Sequence, residues 1–567
     1  MTRSHAWVPQ AAGLACLLIG LMDIASAVTK GLAVRLHELG RLLPGVLTNA
    51  AAAATVATGV LLVLLAHALR RRKRRAWRAV VLLLALSVVL HVVKGLDVEE
   101  AVVSLTLLLV LVLVRDEFYA AGDPRTRWRA VGVLAALLVT DVVVGQVLLL
   151  VREGSILGRP SAAERLQQVL TGLVGLDGPL RFRHESSADL VAFVLLALGL
   201  LTLLVTAYLV LRPEAPVARL DAADEARLRE LVAAHGGQDS LAYFALRRDK
   251  SVIFSPGGEA AIAYRVVSGV MLASGDPLGD PQAWPGAIER FVAEADRHAW
   301  VPAVVGCSRA GGQVWRRETG LTVLELGDEA VIDVATFTLE GRPMRNVRQM
   351  LARVQRAGYT CQVRRVRDIA PAERALVREQ AATWRGEATE RGFSMALGRI
   401  GDPHDGDCVL VTAHGQGRVR AFLHFVPWGA DGLSLDLMRR DRQAEPGLNE
   451  LLIVGALQAA AGLGVARVSL NFAAFRAALE RGDRLGAGPV MRLWRRVLGL
   501  LSRWWQIESL YRFNAKFQPW WQPRFLAYPG GATLPRIVFA ILQAEAFVRV
   551  PRLFDHAPAE EPALTSG

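Results

Sequence analysis

The stretch Ala260–Asp280, AAIAYRVVSGVMLASGDPLGD, decides the fold class. Its apolar residues alternate on a period of two, broken by Ser-Gly and Gly-Asp-Pro turn chemistry, so it reads as strands joined by turns. Next comes WPGAIERFVAEADRHA (284–299), whose spacing predicts an amphipathic helix. VPAVVGC (301–307) follows as a short apolar run, a buried strand. Strands, helix and buried strand together specify a globular α/β region from about 218 to 548. A second set lies downstream: strands at 408–413, 419–427 and 432–438, a helix at 447–463 and a strand at 465–472. The order suggests two similar α/β lobes, 213–380 and 381–548, although no repeat is visible residue by residue. The tail at 549–567 is rich in Pro, Ala and Glu and reads as disordered.

Upstream of this region the chain is of another kind. Apolar runs occupy 10–29, 46–68, 79–93, 98–114, 130–151 and 190–211, which predicts a membrane α-helical bundle of about six spans over 1–212. The basic loops at Arg70–Arg75 and Arg115–Arg129 fix its orientation: both the amino terminus and the α/β region face the cytoplasm. The loop at 152–188 carries five arginines and weakens this asymmetry without reversing it. Asp23 and Asp141 fall inside apolar runs and read as helix contacts or as part of a lipid or ion path. Arg212–Pro216 is the linker.

Composition agrees. The chain has 567 residues, 52% of them hydrophobic, and a mean hydropathy of +0.31, too apolar for an ordinary soluble protein. The net charge of +13 comes almost wholly from arginine, since lysine occurs only at 30, 73, 94, 250 and 516. Such a balance favours anionic lipid or nucleic acid. Cys16, Cys307, Cys361 and Cys408 lack metal or CxxC spacing and read as reduced packing residues. No phosphate loop, HExxH or zinc spacing is present, so no metal or cofactor is expected.

Three clusters could carry chemistry. In the helix expected from Pro343 to about Ala357, Arg342, Arg345, Arg348, Arg353 and Arg356 share one face and Met344, Val347, Met350, Leu351 and Val354 the other. Five arginines without an acid favour a polyanion over a merely solvated face. The run 502–525 interleaves Trp504, Trp505, Tyr511, Trp520 and Trp521 with Arg503, Arg512, Lys516 and Arg524. It suits base stacking, a head-group surface, or an aromatic core covered by arginines. Lys516, a lysine in an arginine-biased chain, suggests a compact ammonium able to change protonation when buried. Finally, SLDLMRRD (434–441) sets Asp436 and Arg439 at a strand end, while His424 reads as packed in the core.

These segments, with RGFSMALGR, GLNELLIV, SLNFAAF and ESLYRFNAKFQPWWQPRF, resemble the aminoacyl-phosphatidylglycerol synthases, or phosphatidylglycerol lysyltransferases, also called multiple peptide resistance factors. The resemblance covers most of 240–548 and is nearest the actinobacterial type, here without a fused lysyl-tRNA synthetase. It implies two tandem GNAT-like acyltransferase lobes, the second catalytic, in a multi-pass protein of the bacterial plasma membrane. It also implies transfer of an aminoacyl group, lysyl first, from aminoacyl-tRNA to phosphatidylglycerol, conferring resistance to cationic antimicrobial peptides. Asp436, Arg439 and Lys516 are the implied catalytic residues. Arg342, Arg345, Arg348, Arg353, Arg356 and Arg524 would hold tRNA or phosphate. Glu508, Tyr511, Arg512, Trp520 and Trp521 would meet lipid or the aminoacyl group. A lipid translocase, a transferase to another acceptor and a homo-oligomer remain open alternatives.

Overall fold

The computed structural model describes residues 7–28, 58–66, 68–70, 72–95, 98–118, 125–211, 218–386, 392–474 and 507–548. The tail at 549–567 and the linker at 212–217 lie outside these described residues. The chain divides into two compact units between Glu214 and Ala215, with Asp296–Ala299 grouped apart from its neighbours.

The first unit is helical: α1 (Val8–Val28), α2 (Arg74–Gly95), α3 (Val98–Leu113), α4 (Arg125–Val151), α5 (Ala162–Leu173) and α6 (Glu185–Leu211). A shorter apolar helix covers Thr58–Arg70. Every expected apolar run coincides with a helix where it is described; residues 46–57 of the second run are outside the described residues. Stretches of α4 (Val131–Val151) and α6 (Glu185–Ala207) are long and apolar enough to cross a bilayer. Their surface supports that reading: Val139, Val143 and Val147 on α4 and Phe193 and Leu201 on α6 are exposed, a patch that water would not tolerate. The two acids within apolar runs both contact neighbouring helices. Asp23 accepts from Ser87 Oγ at 3.3 Å, and Asp141 from Thr202 Oγ1 at 2.8 Å. The helix α5 was not anticipated inside the 152–188 loop.

The second unit runs α7 (Ala222–His235), β1 (Ser251–Phe254), β2 (Ala260–Val267), β3 (Val270–Ser274), β4 (Leu278–Gly279), α8 (Trp284–His298), β5 (Val301–Cys307), α9 (Arg309–Thr319), β6 (Thr322–Asp333), α10 (Arg345–Arg356), β7 (Thr360–Arg365), α11 (Pro371–Arg385), β8 (Val409–Gly415), β9 (Arg418–Trp428), β10 (Gly432–Arg440), α12 (Leu448–Ala460), β11 (Arg467–Ala474), α13 (Ile507–Ala515), β12 (Trp520–Tyr528) and α14 (Leu534–Ala544). The expected elements fall within a few residues of these.

The strands form one sheet, β1-β2-β3-β5-β12-β6-β11-β10-β9-β8-β7, with β4 paired to β2 off this path. Each half contains an antiparallel meander that ends in a parallel crossover, β3–α8–β5 in the first and β10–α12–β11 in the second. The sheet runs unbroken across residue 380. Moreover β12, from the second expected lobe, lies between β5 and β6 of the first. Pro523 in β12 precedes the pairing with β5, which begins at Phe525, so its missing N–H falls where the strand has one neighbour.

Alternation along the strands sorts the cores. On β2, Ala260, Ile262, Tyr264 and Val266 join a cluster with Phe291 and Trp315. Ala261 and Val267 face a different cluster, which also receives Leu410, Phe422 and Val426 from the second half. One face of the sheet is thus a core common to both halves. On the other face of the second half, α12 is buried almost all round, as Leu448, Leu451, Leu452, Val454 and Leu457 show.

Candidate active site

The ladder breaks at adjacent points near the middle of the sheet. On β10, Leu435 pairs with Phe425 and Leu437 with His424, leaving Asp436 as the extra residue of a bulge. On β11, Ser469 pairs with Val331 and Phe472 with Glu329, and the intervening Asn471 takes a left-handed φ of 73°. On β12 the register shifts between Arg524 and Phe525. Bulges re-aim side chains, and here polar ones are turned toward the shared core.

Asp436 has both oxygens engaged. Oδ2 lies 2.6 Å from His424 Nδ1, and Oδ1 accepts from the Leu397 amide at 2.6 Å. The side chains of His424 and Asp436 are 0% and 3% exposed. With Nδ1 facing the carboxylate, His424 Nε2 is the other end of the pair; it is buried and, among the described residues, has no partner, and neither has Ser434 Oγ. The expectation that His424 is a core residue holds for its burial, but it is also the partner of Asp436. Each Asp436 oxygen holds one of these contacts, which orients the His424 ring, and each keeps a further lone pair.

The strap over this pair is RGFSMALGR, described from Gly392. Glu545 accepts from the amides of Phe393 (2.7 Å) and Ser394 (3.1 Å) and from Ser394 Oγ. Asn471 Nδ2 donates to Leu435 O (2.9 Å) and Met395 O (3.3 Å). Arg247 Nη1 donates to Ala396 O at 2.9 Å, and Arg399 Nε to Asp405 Oδ2 at 2.6 Å. The strap is therefore pinned at both ends and at Leu397.

Lys516 is not the buried ammonium that was expected. Its side chain is 37% exposed, and Nζ donates to Glu450 Oε1, in the first turn of α12, at 2.9 Å. Arg439 is half-buried further along β10, opposite Phe422. Tyr511 stacks on Trp521, with centroids 4.7 Å apart, while Arg512 and Trp520 are exposed. Glu508 is on α13, but its side chain lies outside the described residues, as do Arg503, Trp504 and Trp505.

Arg524 requires a correction. Expected at a phosphate, it is 2% exposed and spent internally. Nε and Nη2 donate to Glu329 Oε2 at 2.8 and 2.5 Å, Nη1 to Asp239 Oδ1 at 2.6 Å, and Nη2 to Ser240 Oγ at 2.6 Å. Burial opposes its charge, but Asp239, Glu329 and Asp276 outweigh that and push its pKa up. Burial, then the nearby Asp239 carboxylate, raise Asp276 to about 7. Ser469 Oγ donates to Glu329 at 2.5 Å, which carries the network across β6 into β11. It ties the two halves together.

The arginine face of α10 is as expected in exposure. Val347, Leu351 and Val354 are buried, and Arg342, Arg345, Arg348, Arg353 and Arg356 are exposed. Three of the five are engaged: Arg348 donates to Leu339 O and Gly341 O, Arg353 to Glu445 Oε2 at 2.8 Å, and Arg356 Nε to Ala352 O at 3.1 Å.

Residues 229–528 match the sequence profile of the family described as phosphatidylglycerol lysyltransferase, C-terminal. The chain belongs to this family. Residues 4–211 match a second profile, the transmembrane region of lysyl-tRNA synthetase. Among relatives, a lysylphosphatidylglycerol biosynthesis bifunctional protein LysX of Rhodococcus opacus is 42% identical over 485 residues, covering 84% of this chain and 43% of that protein. The LysX of a Mycobacterium species, strain JLS, is 40% identical over 569 residues, covering 96% and 51%. The chain thus spans about half the length of the relatives it matches. The α/β region shares the fold of L-PGS from Bacillus licheniformis, with TM-score 0.50 and 23% identity over 59% of this chain and 98% of that one.

In this lysyltransferase-family chain, sequence reading missed His424 as a partner, Glu450, Asn471 and the Arg524 cage. A polar residue amid an apolar strand was the available signal for His424, whereas Glu329 shares its strand with Glu325 and Asp328 and gave none. For Asn471 there was none, since its role depends on a bulge. Lys250 was passed over as well. It is fully buried, and burial, then Arg247, lower its pKa to about 7; Nζ donates to Ser274 Oγ at 2.7 Å and to Phe244 O at 3.0 Å. Among the described residues, no group of His, Cys, Asp and Glu could hold a metal.

Proposed function

We propose that this protein transfers a lysyl group from lysyl-tRNA to a glycerol hydroxyl of phosphatidylglycerol. One observation carries the reading: the match over 229–528 to a lysyltransferase family whose members at 40–42% identity are named for lysylphosphatidylglycerol biosynthesis. The membrane region of about six spans holds the enzyme in the plasma membrane with the α/β region in the cytoplasm. That region is best described as tandem GNAT-like lobes, 213–380 and 381–548, sharing one sheet.

The lipid hydroxyl oxygen attacks the ester carbonyl of lysyl-tRNA and loses its proton. The tetrahedral intermediate then collapses, the ribose oxygen leaves, and that oxygen takes up a proton. Ester exchanges for ester, so neither an energy source nor a redox partner is consumed. His424 Nε2 takes and returns the proton, and Asp436 orients the ring, which the 2.6 Å contact and an Nε2 without a partner among the described residues support. Arg439 grips a phosphate in two-pronged fashion. Lys516, on its exposed side, offsets charge growing on oxygen. Tyr511, Arg512, Trp520 and Trp521, with Glu508, form the lipid or aminoacyl contact. Arg342, Arg345 and Arg356, with Arg348 and Arg353, meet the tRNA backbone. The product carries net positive charge and weakens attraction of cationic peptides to the cell surface.

The test is direct. Membranes holding the full chain, given labelled lysyl-tRNA and phosphatidylglycerol, should form a ninhydrin-positive lipid that RNase abolishes. Product that persists without tRNA, or none at all, overturns the reading. The translocase alternative rested on Asp23 and Asp141, whose hydroxyl partners on neighbouring helices account for both acids.

A further inference from the structure

The five arginines of the 152–188 loop sit on a structure of their own. Helix α5 opens with a reciprocal cap: Ser161 Oγ accepts from the Glu164 amide at 3.2 Å, and Glu164 Oε2 accepts from the Ser161 amide at 2.7 Å. Its inner stripe, Gln168, Val169, Gly172 and Leu173, is buried. Three glycines let the backbones close in. A Cβ at Gly145 of α4 would stand 2.6 Å from Val169. One at Gly172 would stand 2.5 Å from Leu195, and one at Gly199 of α6 would stand 2.0 Å from Leu173 O.

These contacts give a depth. The apolar part of α6 starts at Leu190, so Leu195 and Gly199 lie roughly 7–14 Å below it at about 1.5 Å per residue. On α4, Gly145 lies roughly 9 Å before the end at Val151 by the same rise. Both measures put α5 beneath the ends of the two spanning helices, not above them. Above it, Leu157 N donates to Arg181 O and Arg183 N to Ser155 O, each at 2.8 Å, clasping the end of α4 to the start of α6.

The outer stripe of α5 is apolar and uncovered. Leu166, Leu170 and Val174 are 41%, 51% and 58% exposed, and Leu157 is 53% exposed. It continues the exposed apolar faces of α4 (Val143, Val147, Leu150) and α6 (Phe193, Leu201). Around the clasp, Arg152, Arg159, Arg181 and Arg183 are exposed as well. An apolar stripe continuous with two spanning helices fits acyl chains, while around the clasp the arginines are interspersed with the exposed acids Glu153, Glu164 and Glu185.

We propose that α5 is a half-inserted helix docked in the leaflet at the 152–188 end of the two spanning helices, with Leu166, Leu170 and Val174 against acyl chains. This contact is independent of the transfer reaction.

Nitroxide labels report it. In the full chain carrying Cys361→Ser and reconstituted in phosphatidylglycerol liposomes, Leu170→Cys and Arg159→Cys are labelled one at a time. Collision with dissolved oxygen and with a water-soluble nickel chelate is then read. At 170, oxygen contact should exceed chelate contact by about tenfold, with the order reversed at 159, as half-insertion requires. Chelate contact at 170 equal to that at 159 overturns the proposal, since the helix is then in water. Protection of 170 from both reagents also overturns it, since protein and not lipid then covers the stripe.

Discussion

His424 Nδ1 faces Asp436 Oδ2 at 2.6 Å across a bulge in β10, and the opposite ring nitrogen has no partner among the described residues. The carboxylate fixes which nitrogen bears the proton. It leaves Nε2 as a lone-pair acceptor inside the shared core. An acid–base couple of this kind is costly to bury and gives little stability by itself.

If that couple moves the proton, His424→Gln and Asp436→Asn should each lower lysyl-lipid formation by about 10²–10⁴-fold. Asp436→Asn keeps the shape but turns an amide N–H onto the Leu397 amide or the His424 ring, so it should also lose about 1–3 kcal/mol of stability, and turnover is compared below its melting point. The check pairs turnover with a thermal scan of the same sample. Near-normal turnover in both variants would reduce the pair to a packing element.

Arg524→Met should act on stability, not on substrate. It strands Asp239 and Glu329 without their cation, a loss of about 3–5 kcal/mol for a buried pair with one partner removed. The expected result is a large fall in the thermal midpoint of the detergent-solubilised protein, with unchanged tRNA affinity in whatever remains folded below it. A stable variant that no longer binds tRNA would restore the phosphate-binding role.

Replacing Arg342, Arg345 and Arg356 together by glutamine should weaken tRNA binding without regard to sequence. The slope of log affinity against log salt should drop by about 2–3, one unit or slightly less per lost phosphate contact. The KM for phosphatidylglycerol should hold steady. Filter binding at several salt concentrations gives the slope, and an unaltered slope would leave the face merely solvated.

Lys250 gives a pH signature. Burial, then Arg247, lower its pKa from 10.5 to about 7. From about pH 7 to about pH 10 the unfolded chain holds a proton that folded Lys250 lacks, so stability rises with pH through that window, by at most about 5 kcal/mol. Below pH 7 the folded ammonium is charged and the advantage is gone. Thermal scans of wild type and Lys250→Met from pH 6 to 10 should diverge in favour of wild type as pH rises; parallel curves would contradict the shift.

Local pattern was enough for much of the fold. Val301–Cys307 is a strand to the residue, and Trp284–His298 is a helix one residue shorter than its spacing suggested. The lysyltransferase likeness was legible from separated motifs in order. What was not legible depends on contacts between distant segments. Arg524 looked like a surface cation because its neighbours in sequence are aromatic and basic, whereas its partners are Asp239 and Glu329, brought in by strand insertion. Lys516 looked buried because it is rare, yet Glu450 meets it at a half-exposed site. Asp436 was legible as an acid at a strand end, but its contacts were not, since no periodicity reveals a bulge or a Leu397 amide arriving from a strap. Helix α5 was hidden because a twelve-residue amphipathic segment between two spans resembles a polar loop in any long hydropathy window.

The insertion of β12 between β5 and β6 governs how the protein is made. Residues 251–333 leave the ribosome with a gap in their sheet, and the strand that fills it is nearly two hundred residues further along. Until then two strand edges are bare, a condition that invites wrong pairing. The nascent chain already has its membrane helices by that stage. Completion of the α/β sheet is therefore deferred until β12 has been made. Closing so long a loop makes folding slow by topology alone.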